Sequence, residues 1–274
     1  MIQINLPNDI GGFVGFSENW NKENIIKVMA SASLFESLDT PQIESLLSCG
    51  KLSVNERDTV LVHQGDIADH LYLTLEGSIK TLRTSERGDE AILQLLHPGD
   101  TFMEAFIILN EPSPLYAQVV TDATILAISA SAVRKLACTD LRFSQALLKV
   151  ISRQYKEALL IRSSLLLRSP AQRVAHYLLN LLVEAGDTHK SIKLPYQKSM
   201  IANHLGMKPE TFSRALAELK NLGVRIERDE ITLPTGFSLC QFCDMDIALK
   251  CQHDGATECQ NIYNQNFSLT TTAL

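Results

Sequence analysis

No stretch of this sequence approaches the roughly 18 consecutive apolar residues of a membrane-crossing helix. The greasiest, Leu159 to Leu167, is interrupted by Arg162, Ser163 and Ser164. Met1 to Phe16 carries Asp9 and no basic cluster ahead of an apolar core, so no secretory leader is expected and the expected compartment is the cytoplasm. A glycine-rich phosphate loop, a nucleophile elbow and a paired-carboxylate constellation are all missing, so an enzyme is not expected. What remains is ordinary globular composition, 45% hydrophobic and 20% charged over 274 residues. That excludes global disorder and leaves room for two small domains, or one large one, with tails.

The net charge of −6 argues superficially against nucleic acid, but the two signs are segregated. Lys190 to Arg228 holds eight basic residues against Glu210, Glu218 and Glu227, or +5. Asp229 to Leu274 holds Lys250 against six acidic residues, or −5. The cysteines are uneven too. Cys49 and Cys138 stand alone in apolar surroundings and read as buried packing residues, whereas Cys240, Cys243, Cys251 and Cys259 crowd the C-terminal stretch. In a cytoplasmic chain such a cluster favours metal or redox chemistry over structural disulfides.

Along the chain, residues 1–29 read as an N-terminal extension. A short helix follows from about Ser33 to Leu47, with Asp39 or Thr40 as cap and Pro41 at its first position. Gly65, Gly77, Gly88 and Gly99 then recur every 11 or 12 residues. Between and beyond them lie strand-like runs at Thr59–Val62, Leu71–Leu75, Ile79–Arg83, Ala91–Leu96, Ala117–Val120 and Thr124–Ile128, the last two flanking a Thr121-Asp122 turn. Short strands between regular turn signals predict a β-barrel or sandwich, here a sensor domain over 30–137. From about Ser131 the period turns helical. Leu141, Leu148 and Tyr155, interleaved with Ser144, Ile151, Ala158 and Leu165, form the seam of two packed helices. About 28 residues make a helix about 42 Å long, more than one small barrel needs, so 138–168 reads as a dimerisation helix rather than one lying on its own barrel.

Ser169-Pro170 restarts the chain as cap and first helical residue, with Val174, Tyr177, Leu178 and Leu181 as a buried stripe ending at Gly186. After the extended Ser191–Pro195, a short helix over Gln197–Leu205, a Gly206-Met207-Lys208 turn and a second helix from Pro209 to about Leu222 form a helix-turn-helix. At 100° per residue Phe212, Ala215, Leu216, Leu219 and Leu222 share one face; Glu210, Ser213, Arg214 and Ala217 share the opposite one. The polar face sits at the helix N-terminal half, where recognition helices meet base edges in the major groove. Arg214 can pair with guanine, Glu210 can accept from a cytosine amino group, and Ser213 can reach a base or phosphate. Lys198, Lys208 and Thr211 are candidate phosphate contacts. Gly223–Arg228 and Ile231–Leu233 add a basic hairpin wing, completing a domain over 169–235. The competing reading is a helical hairpin whose charges are merely solvated.

A barrel, a long helix and a winged helix-turn-helix in that order resemble the CRP/FNR family of bacterial transcription regulators. Pro209-Glu210-Thr211-Phe212-Ser213-Arg214 resembles the E-x-x-S-R recognition signature of its FNR and nitric-oxide-responsive branches. Phe102-Met103-Glu104-Ala105 and Gly77-Ser78-Ile79-Lys80 sit where barrel signatures belong. The resemblance covers about residues 30–235 and implies an α+β chain: a cyclic-nucleotide-binding-like jelly roll, a dimerisation helix and a winged helix-turn-helix. It implies a homodimer on double-stranded DNA with palindromic, TTGAT-like half-sites, with RNA polymerase as a partner.

The resemblance does not deliver the signal. Members that bind cyclic AMP carry an Arg-Ser pair after a Gly-Glu motif. Here Met103-Glu104 and Pro114-Leu115-Tyr116-Ala117 stand in those places, with no cation for the phosphate, so cyclic AMP is not expected. Haem remains an alternative, with His63, His70 and His97 in or near the barrel. The Cys-rich tail, 236–274, offers Cys240-x2-Cys243-x7-Cys251-x7-Cys259, four thiolates suited to an iron–sulfur cluster or to zinc. One close pair plus two singles lies nearer the cluster pattern; redox-active thiols remain open, and Asp244 and His253 are possible substitute ligands. FNR-like members carry their cluster cysteines N-terminally, and residues 1–48 hold none. Ligation would fold a segment too small and acidic to make its own core. The expected function is a redox- or gas-controlled DNA-binding regulator. A haem or small-molecule sensor with a zinc or thiol tail, or an electron-transfer module of an enzyme complex, are the alternatives.

Overall fold

The computed structural model describes residues 20–86, 88, 90–185, 191–227, 230–232, 239–248 and 250–251. They form two compact units that divide between Ala158 and Leu159. The first runs through α1 (Lys22–Ser31), α2 (Thr40–Ser48), β1 (Gly50–Asn55), β2 (Val60–Val62), β3 (His70–Thr84), β4 (Glu90–Leu96) and β5 (Thr101–Phe102). It continues through α3 (Glu104–Leu109), β6 (Tyr116–Ser129) and α4 (Ala130–Thr139) into α5 (Leu141–Leu167).

All of its strands join one antiparallel sheet in the order β1-β6-β3-β4, with β2 on β6 and β5 on β3. Alternation along β3 buries Leu71, Leu73, Leu75 and Ile79, the signature of a strand with one face on a core. α2 begins with a capping box: Asp39 Oδ1 accepts from the Gln42 backbone N–H (2.9 Å) and Gln42 Oε1 from that of Asp39 (3.1 Å).

The spaced glycines serve two different purposes. At His63–Asp66 and His97–Asp100 the histidine backbone N–H donates to the aspartate Oδ2, at 2.7 and 2.8 Å. Gly65 and Gly99 complete these matching turns with φ of 94° and 93°. Gly77 is not a turn. It lies inside the continuous β3, just as Thr121-Asp122 lies inside the continuous β6, where the pairing slips register between Thr74 and Ile79. The expectation of four separate strands there is therefore corrected to two long bulged ones. A Cβ on Gly77 would stand 2.2 Å from the Asp122 carbonyl oxygen.

Other expectations are corrected as well. The stretch read as an extension contains α1, capped by Asn21 and burying Ile25 and Met29 in the core. With only two buried residues in ten, its apolar stripe is too thin to stand out in sequence. Cys49 and Cys138 are exposed rather than buried. α5 lies on its own unit along one face and leaves the expected seam residues uncovered. Phe143, Ala146, Leu147 and Val150 are buried in its own unit, while Leu141, Leu148 and Tyr155 are 73%, 65% and 66% exposed.

Glu104 is buried beneath this sheet. Its Oε2 accepts from Gln154 Nε2 (3.2 Å), while Oε1 has no partner among the described residues. Burial raises its pKa, against opposing hydrogen bonds from Thr101 and Gln154. A raised carboxyl pKa stabilises the fold fully below the unfolded value of 4.5 and loses that contribution as pH rises through the folded value. Glu104→Gln is therefore expected to raise stability at pH 7 by about 1–2 kcal/mol. Urea unfolding of wild type and variant checks this, with the gain shrinking towards pH 4.

The second unit holds α6 (Pro170–Ala185), β7 (Ser191–Lys193), α7 (Lys198–His204), α8 (Pro209–Lys220), β8 (Arg225–Glu227), β9 (Glu230–Thr232), a 3-10 turn at Cys240–Phe242 and α9 (Met245–Ala248). β7, β9 and β8 make a small antiparallel sheet in that order. Its core joins Val174, Ala175 and Leu178 of α6 to Ile201, Phe212, Leu216 and Leu219. The tail contributes as well: Leu239 and Ile247 are buried in the same core, so this segment packs on α6 and α8 rather than on a core of its own. Gly186, Lys190, Arg228, Asp229, His253 and Cys259 lie outside the described residues. Among the described residues no helix is long and apolar enough to cross a membrane.

Candidate nucleic-acid interface

α7 and α8 are joined by a tight turn in which Gly206 takes φ +64°, a left-handed conformation that suits glycine. Pro209 opens α8 at its first position, where a missing N–H costs nothing. Phe212, Ala215, Leu216 and Leu219 are all at most 5% exposed, and this face alone holds α8 in the unit. Leu222 falls beyond the helix end at Lys220 and is exposed, a correction to its expected place on that face.

The opposite face is free. Glu210, Ser213, Arg214 and Ala217 are exposed, as is Lys208 in the turn; Thr211 and Lys198 are half-buried. The candidate contact residues on α8 and in the turn before it are thus exposed or half-buried, and Lys198 opens α7. Arg214 Nη2 donates to Thr211 Oγ1 at 3.4 Å, a long bond that leaves most of the guanidinium fork available. Glu210 sits in the first turn, where a carboxylate also favours the helix dipole. The wing is present as β8 and β9, with Arg225 exposed and opposite Thr232.

Behind this surface α7 carries His204, whose ring meets Tyr177 edge-on at 6.4 Å and whose Nδ1 is buried without a partner among the described residues. Burial lowers its pKa. A lowered histidine pKa means the unfolded chain binds the proton first, so stability falls as pH drops below about 6.5. His204→Phe is expected to flatten that acid-side loss, measured as the pH 7.5 to pH 5.5 difference in unfolding midpoint.

Residues 54–140 match the family model for the cyclic nucleotide-binding domain, and residues 172–241 the model for the Crp-like helix-turn-helix domain. The probable transcriptional regulator Flp of Lacticaseibacillus casei is 33% identical over 60% of this chain and 74% of its own length. This chain belongs to the CRP/FNR family. An anaerobic regulatory protein of Pasteurella multocida is 27% identical over 62% of the chain and 63% of its own length. FixK2 of Bradyrhizobium japonicum shares the fold at a TM-score of 0.62 and 21% identity, over 71% of this chain and 98% of FixK2. The protein is a DNA-binding regulator of CRP/FNR type, not an enzyme.

In the barrel of this CRP/FNR chain, Met103 and Glu104 adjoin a small cavity. Met103 holds φ +82°, the left-handed conformation a glycine would take easily. The cavity beside Glu104, lined by Thr81, Gln94, Phe106, Leu115 and Gln154 among others, is about 40 Å³ and has no Lys or Arg in its lining. A larger cavity of about 290 Å³ adjoins His70, Tyr72, Leu61, Val62 and Met103. Each barrel histidine faces a carboxylate: His63 with Asp66 (3.6 Å), His70 with Asp69 (2.6 Å), His97 with Asp100 (3.8 Å).

In the tail, Cys240 and Cys243 bracket the 3-10 turn, closed by the Cys243 N–H on the Cys240 carbonyl at 3.0 Å. The turn thus brings the backbones of the two cysteines together. Cys251 follows α9, its N–H on the Ala248 carbonyl. Among the described residues no three His, Cys, Asp or Glu side chains are gathered as a metal-binding group. Asp244, a possible substitute ligand in the sequence, is otherwise engaged. Its Oδ2 accepts from Arg168 Nη2 (2.8 Å) and His176 Nε2 (2.7 Å), and its Oδ1 from the Ile247 N–H (3.0 Å). Although burial alone would raise its pKa, these bonds hold the carboxyl well below the ordinary range. Sequence reasoning missed this cluster, because Arg168 and His176 lie 76 and 68 residues away. Only the local half was visible, a carboxylate three residues before Ile247 at a helix start.

Proposed function

We propose that this protein is a dimeric, sequence-specific transcription regulator whose α8 reads TTGAT-like half-sites of a palindrome and which acts with RNA polymerase. The observation that carries the reading is the division of α8 into a fully buried apolar face and an exposed Glu210–Ser213–Arg214 face. Glu210 repels phosphates, so its place beside Arg214 fits base reading rather than backbone clamping. Dimerisation is supported by α5, where Leu141, Leu148 and Tyr155 are followed by exposed Leu166 and Leu167. Exposed apolar area at heptad spacing marks an interface. Leu148→Asp with Tyr155→Asp is expected to halve the mass seen by light scattering and to lower affinity for the palindrome by more than about tenfold, since one half-site then binds alone.

The signal is proposed to be redox or gas chemistry at an iron–sulfur cluster held by Cys240, Cys243, Cys251 and Cys259. The soft donor set and the turn that closes Cys243 onto Cys240 support this, as do relatives named as anaerobic regulatory proteins. Such a cluster supplies a centre that reacts with oxygen or nitric oxide. Cyclic AMP is not part of this reading: the cavity of about 40 Å³ beside Glu104 has no Lys or Arg in its lining to pair with a phosphate. The second reading places a haem or small molecule in the barrel, favoured by the cavity of about 290 Å³ beside His70. Anaerobic purification with iron, sulfide, zinc and haem analysis decides. Stoichiometric iron and sulfide lost in Cys243→Ala supports the cluster; a sharp Soret band moves the sensor to the barrel; zinc alone removes the redox reading.

A further inference from the structure

The segment between Leu239 and Cys251 does more than present thiols. It is fastened to α6 at two places. Near the middle of α6, Asp244 holds His176, and it also holds Arg168, which stands just before the Ser169-Pro170 break between α5 and α6. Near the far end, Lys250 Nζ stands 3.8 Å from Glu184 Oε1. Between these polar fastenings Leu239, Ile247 and Ala248 are buried, the first two sharing a core with Val174 and Leu178 of α6 and Phe212 and Leu216 of α8. The end of α5 also meets the helix-turn-helix directly, since a Cβ on Gly206 would stand 2.6 Å from Leu165 Cδ2.

Chemistry at the cysteines is one residue away from this fastening. Asp244 follows Cys243, whose Sγ lies 3.5 Å from the Asp244 carbonyl oxygen, and α9 fills the interval to Cys251. A change in what Cys240, Cys243 and Cys251 bind has to move the backbone on either side of the carboxylate. That carboxylate is held by an arginine and a histidine side chain only about a quarter exposed, and the arginine bond is charge-assisted, its strength depending on position. Either the pair stays and the junction is fixed, or it parts and Arg168 is released.

We propose that Leu239–Cys251 is a signal-responsive staple across the α5–α6 junction, with Asp244 as the positioning residue that carries the state of the cysteines through Arg168 and α6 to the recognition helix. This rests on the reading of those cysteines as the signal centre. Coupling is local: it needs only that α6 and α8 share one packed core, which has few ways to adjust by halves.

The test uses the full chain as wild type, Asp244→Asn and Asp244→Ala, each purified anaerobically and then treated with ferricyanide and a chelator to strip the centre. Two quantities are read in both states: deuterium uptake over 168–185, and affinity for a palindromic TTGAT-type duplex by anisotropy. In wild type, stripping is expected to raise uptake across α6 and to change affinity by about tenfold or more, within the usual range of allosteric coupling. In both variants, uptake is already high before stripping and the two states bind DNA alike, while iron content matches wild type. A variant that keeps the wild-type difference between states overturns the staple. Unchanged α6 uptake in Asp244→Ala overturns it independently of any metal. Wild type whose affinity ignores stripping refutes the signal-centre reading instead, with the uptake data still judging the fastening. Should Asp244→Ala fail to fold, Arg168→Met and His176→Phe each remove one arm, and each is expected to show the same loss of difference in part.

Discussion

Arg214→Glu lowers affinity for the palindromic duplex by at least about 100-fold and leaves the fold untouched. A bidentate arginine–guanine pair is worth about 1–3 kcal/mol, and reversal adds repulsion between a carboxylate and the phosphates on either side of the groove. Arg214 is exposed, and the intramolecular bond described for it is the 3.4 Å contact with Thr211, so the unfolding midpoint should not move. Arg214→Ala is the finer experiment. It removes the base contact without the repulsion, and is expected to cost about 10- to 100-fold and to relax preference at a single base position. Lys208→Ala, by contrast, should weaken all sequences alike and reduce the salt slope by about one. Competition binding against duplexes varied one position at a time separates the two roles. If Arg214→Ala lowered every duplex equally, Arg214 would be a phosphate contact and the base-reading face would have to be sought elsewhere.

The second large effect is on the sensor unit. Gly77→Ala is expected to cost about 3 kcal/mol or more, or to prevent folding. Two penalties combine: φ of +81° disfavours any L side chain by about 1–2 kcal/mol, and the new methyl would stand 2.2 Å from a backbone oxygen in β6. Backbone cannot swing aside as a side chain can, so the β3–β6 bulge must open. Gly65→Ala is the control. It shares the left-handed φ, at 94°, but meets nothing within 4 Å, so it should cost only about 1–2 kcal/mol. For a unit of this size 1 kcal/mol moves the melting midpoint by about 2–4 °C, which makes the contrast easy to measure. Equal effects of the two substitutions would show that the close crossing at Gly77 is not what the sequence protects.

Much of this architecture was legible from residue order alone, for a physical reason. Where one face of an element is buried and the other exposed, periodicity records it, and α8 is written in Phe212–Leu219. In α5 the heptad of Leu141, Leu148 and Tyr155 marks the exposed face, while the buried Phe143, Ala146, Leu147 and Val150 were not read. Capping chemistry is equally local, so Asp39 and Pro41 announced α2. What escaped depends on contacts between distant residues. The continuity of β3 and β6 could not be read from Gly77 and Thr121-Asp122, because a glycine at a bulge and a glycine at a turn look alike until the partner strand is placed. Cys49 and Cys138 have apolar neighbours in sequence but are exposed in the fold. Asp244 was visible as an acidic neighbour of a cysteine. Its bond to Arg168 and His176 was not, since nothing local in any of the three residues names the other two.

The central claim is that α8 reads a specific palindrome, and enrichment of bound duplexes from a random pool tests it most directly. The account predicts an inverted repeat of TTGAT-like half-sites from wild type, with Arg214→Ala losing preference at one symmetric pair of positions. A pool that stays random, or that converges on a sequence without twofold symmetry, would contradict it.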